Sequence, residues 1–247
     1  MNDRVAAAWW SKAILIGAIF GAVLLPIAAF GTRLGVWPFQ IGLLLLVSGG
    51  ALAAAAVVLG IVALIVATRQ QRRADRGLLY ISLIVAGVTA GFMGMQINAA
   101  RSVPPIHDIS TDTVDPPQFG ETVIAMRGKR SNPLDYDAAK LAPQQKSAYP
   151  KVEPIETPLD PAESIDRSVD VLKDMGLTID DVDRDAGRVE ATATSFWFGF
   201  KDDVVVRVRP TADGSVIDVR STSRVGQSDI GVNAKRIEAF IARFNAA

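Results

Sequence analysis

The chain has no cysteine and one histidine, His107. Without cysteine, neither a disulfide framework nor a thiolate metal site is available. No G-x-S-x-G elbow, no H-E-x-x-H and no glycine-rich phosphate loop occurs, so no nucleophile–base pair shows in the order of residues. Net charge is lacking too, since Lys+Arg 26 balances Asp+Glu 26. That balance hides a division. Residues 1–100 hold Arg4, Lys12, Arg33, Arg69, Arg72, Arg73 and Arg76 against only Asp3 and Asp75, so the remainder is net acidic. A chain split this way has two parts in two environments.

Charge is absent from three long runs: Ala13–Phe30, Phe39–Thr68 and Gly77–Ala100. About 20 apolar residues cross the hydrocarbon core as a helix. Three spans are therefore expected, the second long enough to tilt or protrude. Lys12 before the first run and Ala28 and Ala29 near its end also suit a signal peptide. The run is long for that role, and two further spans follow. No run has an ionisable residue in its interior, which argues against a proton relay or ion path. Small residues recur four apart at Gly17 and Gly21, Gly49 and Ala53, and Gly87 and Gly91. They suit packing of the spans on one another, with an oligomer through Gly17, Gly21, Gly87 and Gly91 as the alternative. Trp9, Trp10, Trp37 and Tyr80 fall near span ends, where amphipathic rings favour the interface. Arg69, Arg72, Arg73 and Arg76, with Arg4 and Lys12, put the N-terminus and the second loop in the cytoplasm by the positive-inside rule. Three spans then place everything after residue 100 outside. In a bacterial inner membrane that is the periplasm.

Ten of the thirteen prolines lie between Pro104 and Pro161. Proline breaks helices and sheet ladders. Three regions are expected: a membrane region over 1–100, a proline-rich extended segment over 101–153, and an α+β domain over 154–247. Part of the middle segment is long enough to pack on the domain that follows. It contains His107 with Asp108, Asp112 and Asp115. One imidazole with carboxylates is a conceivable metal set, but a polar stretch leaving the membrane is the simpler reading, and no metal or cofactor is expected.

From Asp160 the pattern is regular. Asp160 as N-cap, Pro161 at the first position and Glu163 at the third start a helix carrying Ile165, Val169, Leu172 and Met175, ended by Gly176. Strands are expected at 178–183, 188–195, 203–209 and 216–223. A four-residue loop at 211–214 pairs Val206 with Val219 and Arg207 with Asp218 on the outer face; a two-residue loop would pair Arg209 with Asp218. A last helix, capped by Ser228 or Asp229, carries Ile230, Ala234, Ile237, Ile241 and Phe244. The fold class is a three-helix transmembrane region plus an α+β C-terminal domain, an antiparallel sheet of about four or five strands with flanking helices.

Two stretches are candidate sites. The turn into the last helix brings Arg220, Arg224 and Arg236, with Ser223, Ser228, Asp229 and Asn233, towards a helix N-terminus, which suits an anionic or polar ligand. The same residues also make an ordinary join in which carboxylates pair with the arginines. Phe196, Trp197, Phe198 and Phe200 exceed what one strand face can bury, and suit a pocket wall, a sticky edge or a membrane-facing patch.

The segments SFWFGFKDDVVVRVRP and DVRSTSRVGQSDIGVNAKRIEAF resemble the family of domain of unknown function 1499. PPIHDISTDTVDPPQF after three spans resembles its membrane-anchored bacterial members. The resemblance covers residues 104–245. It implies association with an envelope or organelle membrane, and no reaction. The expected function is a membrane-anchored periplasmic binding or interaction module in envelope structure or lipid handling. The expected partners are the bilayer and a polar or anionic envelope ligand, and no nucleic acid, since the outer domain is acidic. The alternative is an enzyme with Asp202, Asp203, Arg220, Arg224 and Asp229 around one cleft.

Overall fold

The structure, a computed structural model, describes residues 6–246. Asp3 and Arg4 lie outside the described residues. The chain divides into two compact units, one of residues 1–98 with Phe196–Gly199, the other of Ala99–Ser195 with Phe200–Ala247.

The first unit contains α1 (Trp9–Arg33), α2 (Phe39–Arg69) and α3 (Arg73–Arg101). All three are long and apolar enough to cross a membrane. Their packing inverts that of a soluble bundle. The buried residues of α2 are all Gly or Ala: Gly42, Gly49, Ala53, Ala56, Gly60, Ala63 and Ala67. They follow a near-heptad spacing, so one narrow seam faces the neighbouring helices. Leu44, Val47, Val58 and Ile65 point outward, where lipid is as apolar as any core. A Cβ on Gly21 would meet Gly49 O at 2.9 Å, and one on Gly49 would meet Gly21 O at 2.8 Å. These two glycines let α1 and α2 approach. Gly17, Gly87 and Gly91 have open space in front of them instead.

A buried carboxylate ties the arginine-rich turn to the start of α1. Ala8 N–H and Ser11 Oγ donate to Asp75 Oδ1 at 2.7 and 2.6 Å, and Arg72 Nε donates to Asp75 Oδ2 at 2.5 Å.

The second unit contains, in order, β1 (Asp108–Ser110), α4 (Glu121–Met126), α5 (Ala138–Ala148), β2 (Ile155–Thr157), α6 (Pro161–Asp174), β3 (Thr178–Asp183), β4 (Arg188–Thr194), β5 (Lys201–Thr211), β6 (Gly214–Ser223) and α7 (Val232–Ala246). The sheet is antiparallel with six strands in the order β1-β6-β5-β4-β3, and β2 also pairs with β6. The two strands beyond the expected four come from the proline-rich segment and its end. That segment belongs to the same compact unit as the sheet. Gln145 explains how β1 serves as an edge: its amide accepts from Ser110 N–H (3.0 Å) and donates to Ser110 O (2.6 Å), doing for the edge backbone what another strand would do.

The expected capping box of α6 is present, with Asp160 accepting from Glu163 N–H and Glu163 accepting from Asp160 N–H. The β5–β6 register pairs Val206 with Val219 and Arg207 with Asp218, and pairing continues to Thr211 and Gly214. One element differs. Ile230 lies before α7 in a left-handed conformation (φ 56°) and is exposed, so the buried stripe is Ala234, Ile237, Phe240 and Phe244 behind Asn233.

The main core lies between one sheet face and α6 and α7. Val189, Ala191, Val204, Val206, Val208, Ile217 and Val219 meet Ile165, Leu172, Ile237, Phe240 and Phe244 there. A smaller cluster of Phe119, Val123 and Val205, with Leu134, sits on the opposite face.

Candidate functional site

Strand alternation sorts the candidate residues onto two faces. Val204 and Val206 face the helices, so Asp202 does too, whereas Asp203, Val205 and Arg207 face the other way. On β6, Ser221 and Ser223 face α7, whereas Asp218, Arg220 and Thr222 lie under the proline-rich segment.

On the helix side, Arg236 donates to Asp202 Oδ2 at 2.7 Å and to Ser221 Oγ at 2.9 Å. It also donates to Asn233 Oδ1. Asn233 donates to Ser223 Oγ (3.0 Å) and His107 O (2.9 Å). Asp229 accepts from Gly231 N–H at 2.8 Å and Asn233 N–H at 2.7 Å. The N-terminus of α7 thus holds the chain's own carboxylate where an external anion was expected to bind. Burial pushes the Asp229 carboxyl above its ordinary value, against the pull of those two N–H groups. Ser228 Oγ accepts from Ile230 N–H at 3.3 Å.

On the other side, Arg220 is fully buried. Its Nε and Nη2 donate to Asp108 Oδ1 and Oδ2 at 3.0 and 2.7 Å. Its remaining donors reach Pro117 O (3.1 Å) and Leu134 O (2.6 Å), and the guanidinium lies over the rings of Phe119 and Tyr136. Burial, with the Asp108 charge nearby, pushes the Tyr136 hydroxyl up to about 12. Arg224 is bidentate on buried Asp203 (Nε–Oδ2 3.1 Å, Nη2–Oδ1 2.6 Å), which also accepts from Arg127. Arg207 joins Asp218 (2.9 Å) and Asp115 (2.9 Å), and Arg209 joins Asp218 at 2.8 Å.

The seven turn residues therefore do not form one site. Ser223, Asp229, Asn233 and Arg236 come together around α7; Arg220 and Arg224 point through the other face. Asp202 and Asp203, neighbours in sequence, are likewise separated, so the five residues of the carboxylate–arginine cleft do not converge. His107 is not joined by the aspartates after it, because Asp108 is held by Arg220 and both Asp112 and Asp115 by Arg207. Among the described residues no group of three or more His, Asp or Glu side chains is placed to hold a metal ion.

Sequence reasoning missed most of the ionic face because the partners supplied by the proline-rich segment are distant in the chain, by 112 residues for Arg220 and Asp108, 76 for Asp203 and Arg127 and 70 for Glu190 and Gly120. Arg207 and Asp218 were expected to form an exposed pair, yet Asp218 is fully buried, because the proline-rich segment covers it. Glu190 is buried on the same face. Its Oε1 accepts from Gly120 N–H at 2.5 Å, and Oε2 has no partner. Burial pushes its carboxyl above the ordinary value, helped by Asp180 and Asp181 and opposed by Gly120 N–H and Arg188.

One open polar concavity was also not foreseen. It holds about 950 Å³ and is bordered by Thr111–Val114, by Lys146 and Tyr149 at the end of α5, and by Glu153 and Glu156. Asp112 lies at its edge. Although burial would push its carboxyl up, the N–H groups of Asp115 and Val114 and the charges of Arg207 and Arg209 hold it below its ordinary value.

Residues 108–244 match the family model described as protein of unknown function (DUF1499). The chain belongs to this family. The match begins at β1, so in this DUF1499 chain the covering segment is part of the family's unit and not a connection leading to it. No curated protein matches the chain.

Proposed function

We infer that this DUF1499 chain is a membrane-anchored binding module whose second unit works outside the cytoplasm, in envelope structure or lipid handling. The observation that carries a binding role over a catalytic one is the filling of both sheet faces. The arginines and carboxylates that catalysis would use are spent on one another, split between a polar cluster at the start of α7 and the ionic layer on the opposite sheet face. The concavity beside Lys146 and Glu153 has the size and the mixed polarity of a site for a polar envelope ligand. Sidedness is supported by Lys12 before the first apolar run and by Arg69, Arg72, Arg73 and Arg76, which end α2, form the turn and start α3 at the same end of the bundle.

Two measurements test this reading. Alkaline phosphatase fused after residue 247 should be active and fused after Arg73 inactive; the reverse pattern sinks the topology. Mass spectrometry of the detergent-solubilised full-length protein should show a co-purified polar molecule that Glu153→Trp removes and Arg236→Ala leaves in place. Retention in Glu153→Trp with loss in Arg236→Ala would move the site to the turn before α7.

A further inference from the structure

The β4–β5 connection is built as a closed hairpin tip. Thr194 pairs with Lys201, and beyond that pair Ser195 N–H donates to Phe200 O at 2.8 Å while Phe200 N–H donates to Ser195 Oγ at 2.9 Å. Four residues, Phe196–Gly199, project past this clasp. Gly199 turns the chain back with φ 68°, a left-handed conformation that favours glycine. Three of the four tip residues are aromatic, and Phe196 and Trp197 are 67% and 56% exposed.

Phe196–Gly199 forms one compact unit with the three apolar helices. Within that unit Phe196 and Trp197 lie against Phe30 at centroid distances of 6.2 and 5.4 Å, and against each other at 5.3 Å. Arg33 Nη1 donates to Phe196 O at 2.6 Å, and its guanidinium lies 5.7 Å from the Phe196 ring centre. Phe30 and Arg33 are in the last turn of α1, where the apolar run ends. An aromatic group beside one arginine at the end of an apolar helix matches the composition of a headgroup layer, where rings sit at the boundary and a guanidinium meets phosphate. In water, two such exposed rings would be an unfavourable patch.

We propose that the Phe196–Gly199 tip is a membrane-interface anchor, with Phe196 and Trp197 seated among the lipid headgroups at the level of Phe30 and Arg33. The occupant is the glycerophospholipid interface. The proposal rests on the helices being membrane spans and is independent of which side the second unit occupies or whether it binds a ligand.

The experiment uses full-length protein in phosphatidylcholine–phosphatidylglycerol vesicles. The emission of Trp197 is the difference between the wild type and Trp197→Phe. It should be quenched severalfold more by lipid brominated near the carbonyl end of the acyl chain than by lipid brominated near the chain terminus. Because the chain has no cysteine, a nitroxide can be placed uniquely at Phe196→Cys and at Asp213→Cys. Asp213 is exposed at the β5–β6 tip, the far end of an eleven-residue strand. The label at 196 should collide with a water-soluble nickel chelate about tenfold less often than the label at 213. Trp197 emission that no brominated lipid quenches overturns the proposal, whatever the labelled variants do. Preferential quenching from the chain terminus also overturns it, since that would place the tip in the core.

Discussion

On one face of the sheet, Val189, Val204, Val206 and Val219 meet α6 and α7 through hydrocarbon alone. On the other, Arg207, Asp218, Arg220, Asp203 and Glu190 lie under a proline-rich segment that supplies Asp112 and Asp115 to Arg207, Asp108 and two carbonyls to Arg220, Arg127 to Asp203 and one N–H to Glu190, while Arg207 and Arg209 of β5 hold Asp218. The same strands and the same two-residue alternation build both. The difference lies in what a cover can tolerate. A helix offers no free backbone groups along its length and so suits an apolar face. An irregular segment has carbonyls and N–H groups that need partners, and it suits a polar face that supplies them. Such a face adds little net stability for its number of contacts, because burying ions costs nearly what their attraction returns. It does demand that every partner be in place.

The sharpest way to break this comparison is to remove one ionic partner. Arg220→Ala leaves Asp108 buried and alone, and should cost about 3–5 kcal/mol in denaturant unfolding of the second-unit transition. Replacing Arg220 by Met, with Asp108→Leu in the same chain, should recover most of that loss. The apolar face responds to volume instead. Ile237→Ala should cost about 2–5 kcal/mol by the same measurement, with no recovery from any charge change. If the loss in Arg220→Ala were no larger than that of an exposed pair, the covering segment would not hold its place in solution.

A milder test keeps shape and removes charge. Asp218→Asn should lose about 1.5–3 kcal/mol, since two arginines donate to its Oδ2 and solvent does not replace them. The smallest effect is a change of slope. Burial raises the folded carboxyl of Glu190, so above its ordinary value of about 4.5 the folded protein keeps a proton that the unfolded chain releases. Its contribution to stability is then greatest in acid and declines as pH rises through the folded value. Glu190→Gln should flatten that decline and raise Tm at neutral pH, with little change in acid, because the amide oxygen can still accept from Gly120. A steeper decline in the variant would contradict the assignment.

Local patterns in the sequence sufficed for much of the fold. The three charge-free runs, the Asp160–Glu163 cap, the Asp213–Gly214 turn and the alternation of Val204, Val206 and Val208 each act over a few residues, so spacing alone reports them. The helices α4 and α5 were not legible: α4 is six residues long, and Pro143 inside α5 argues against a helix. Alternation also implied that Asp202 and Asp203 diverge, but a cluster of charges near one turn drew them together on paper. What decided the role of Arg220, Arg224 and Asp218 was which segment arrived on top of them. That depends on chain closure over roughly a hundred residues. A salt bridge such as Arg220–Asp108 leaves no periodic trace in either stretch, because its two halves need only meet in space.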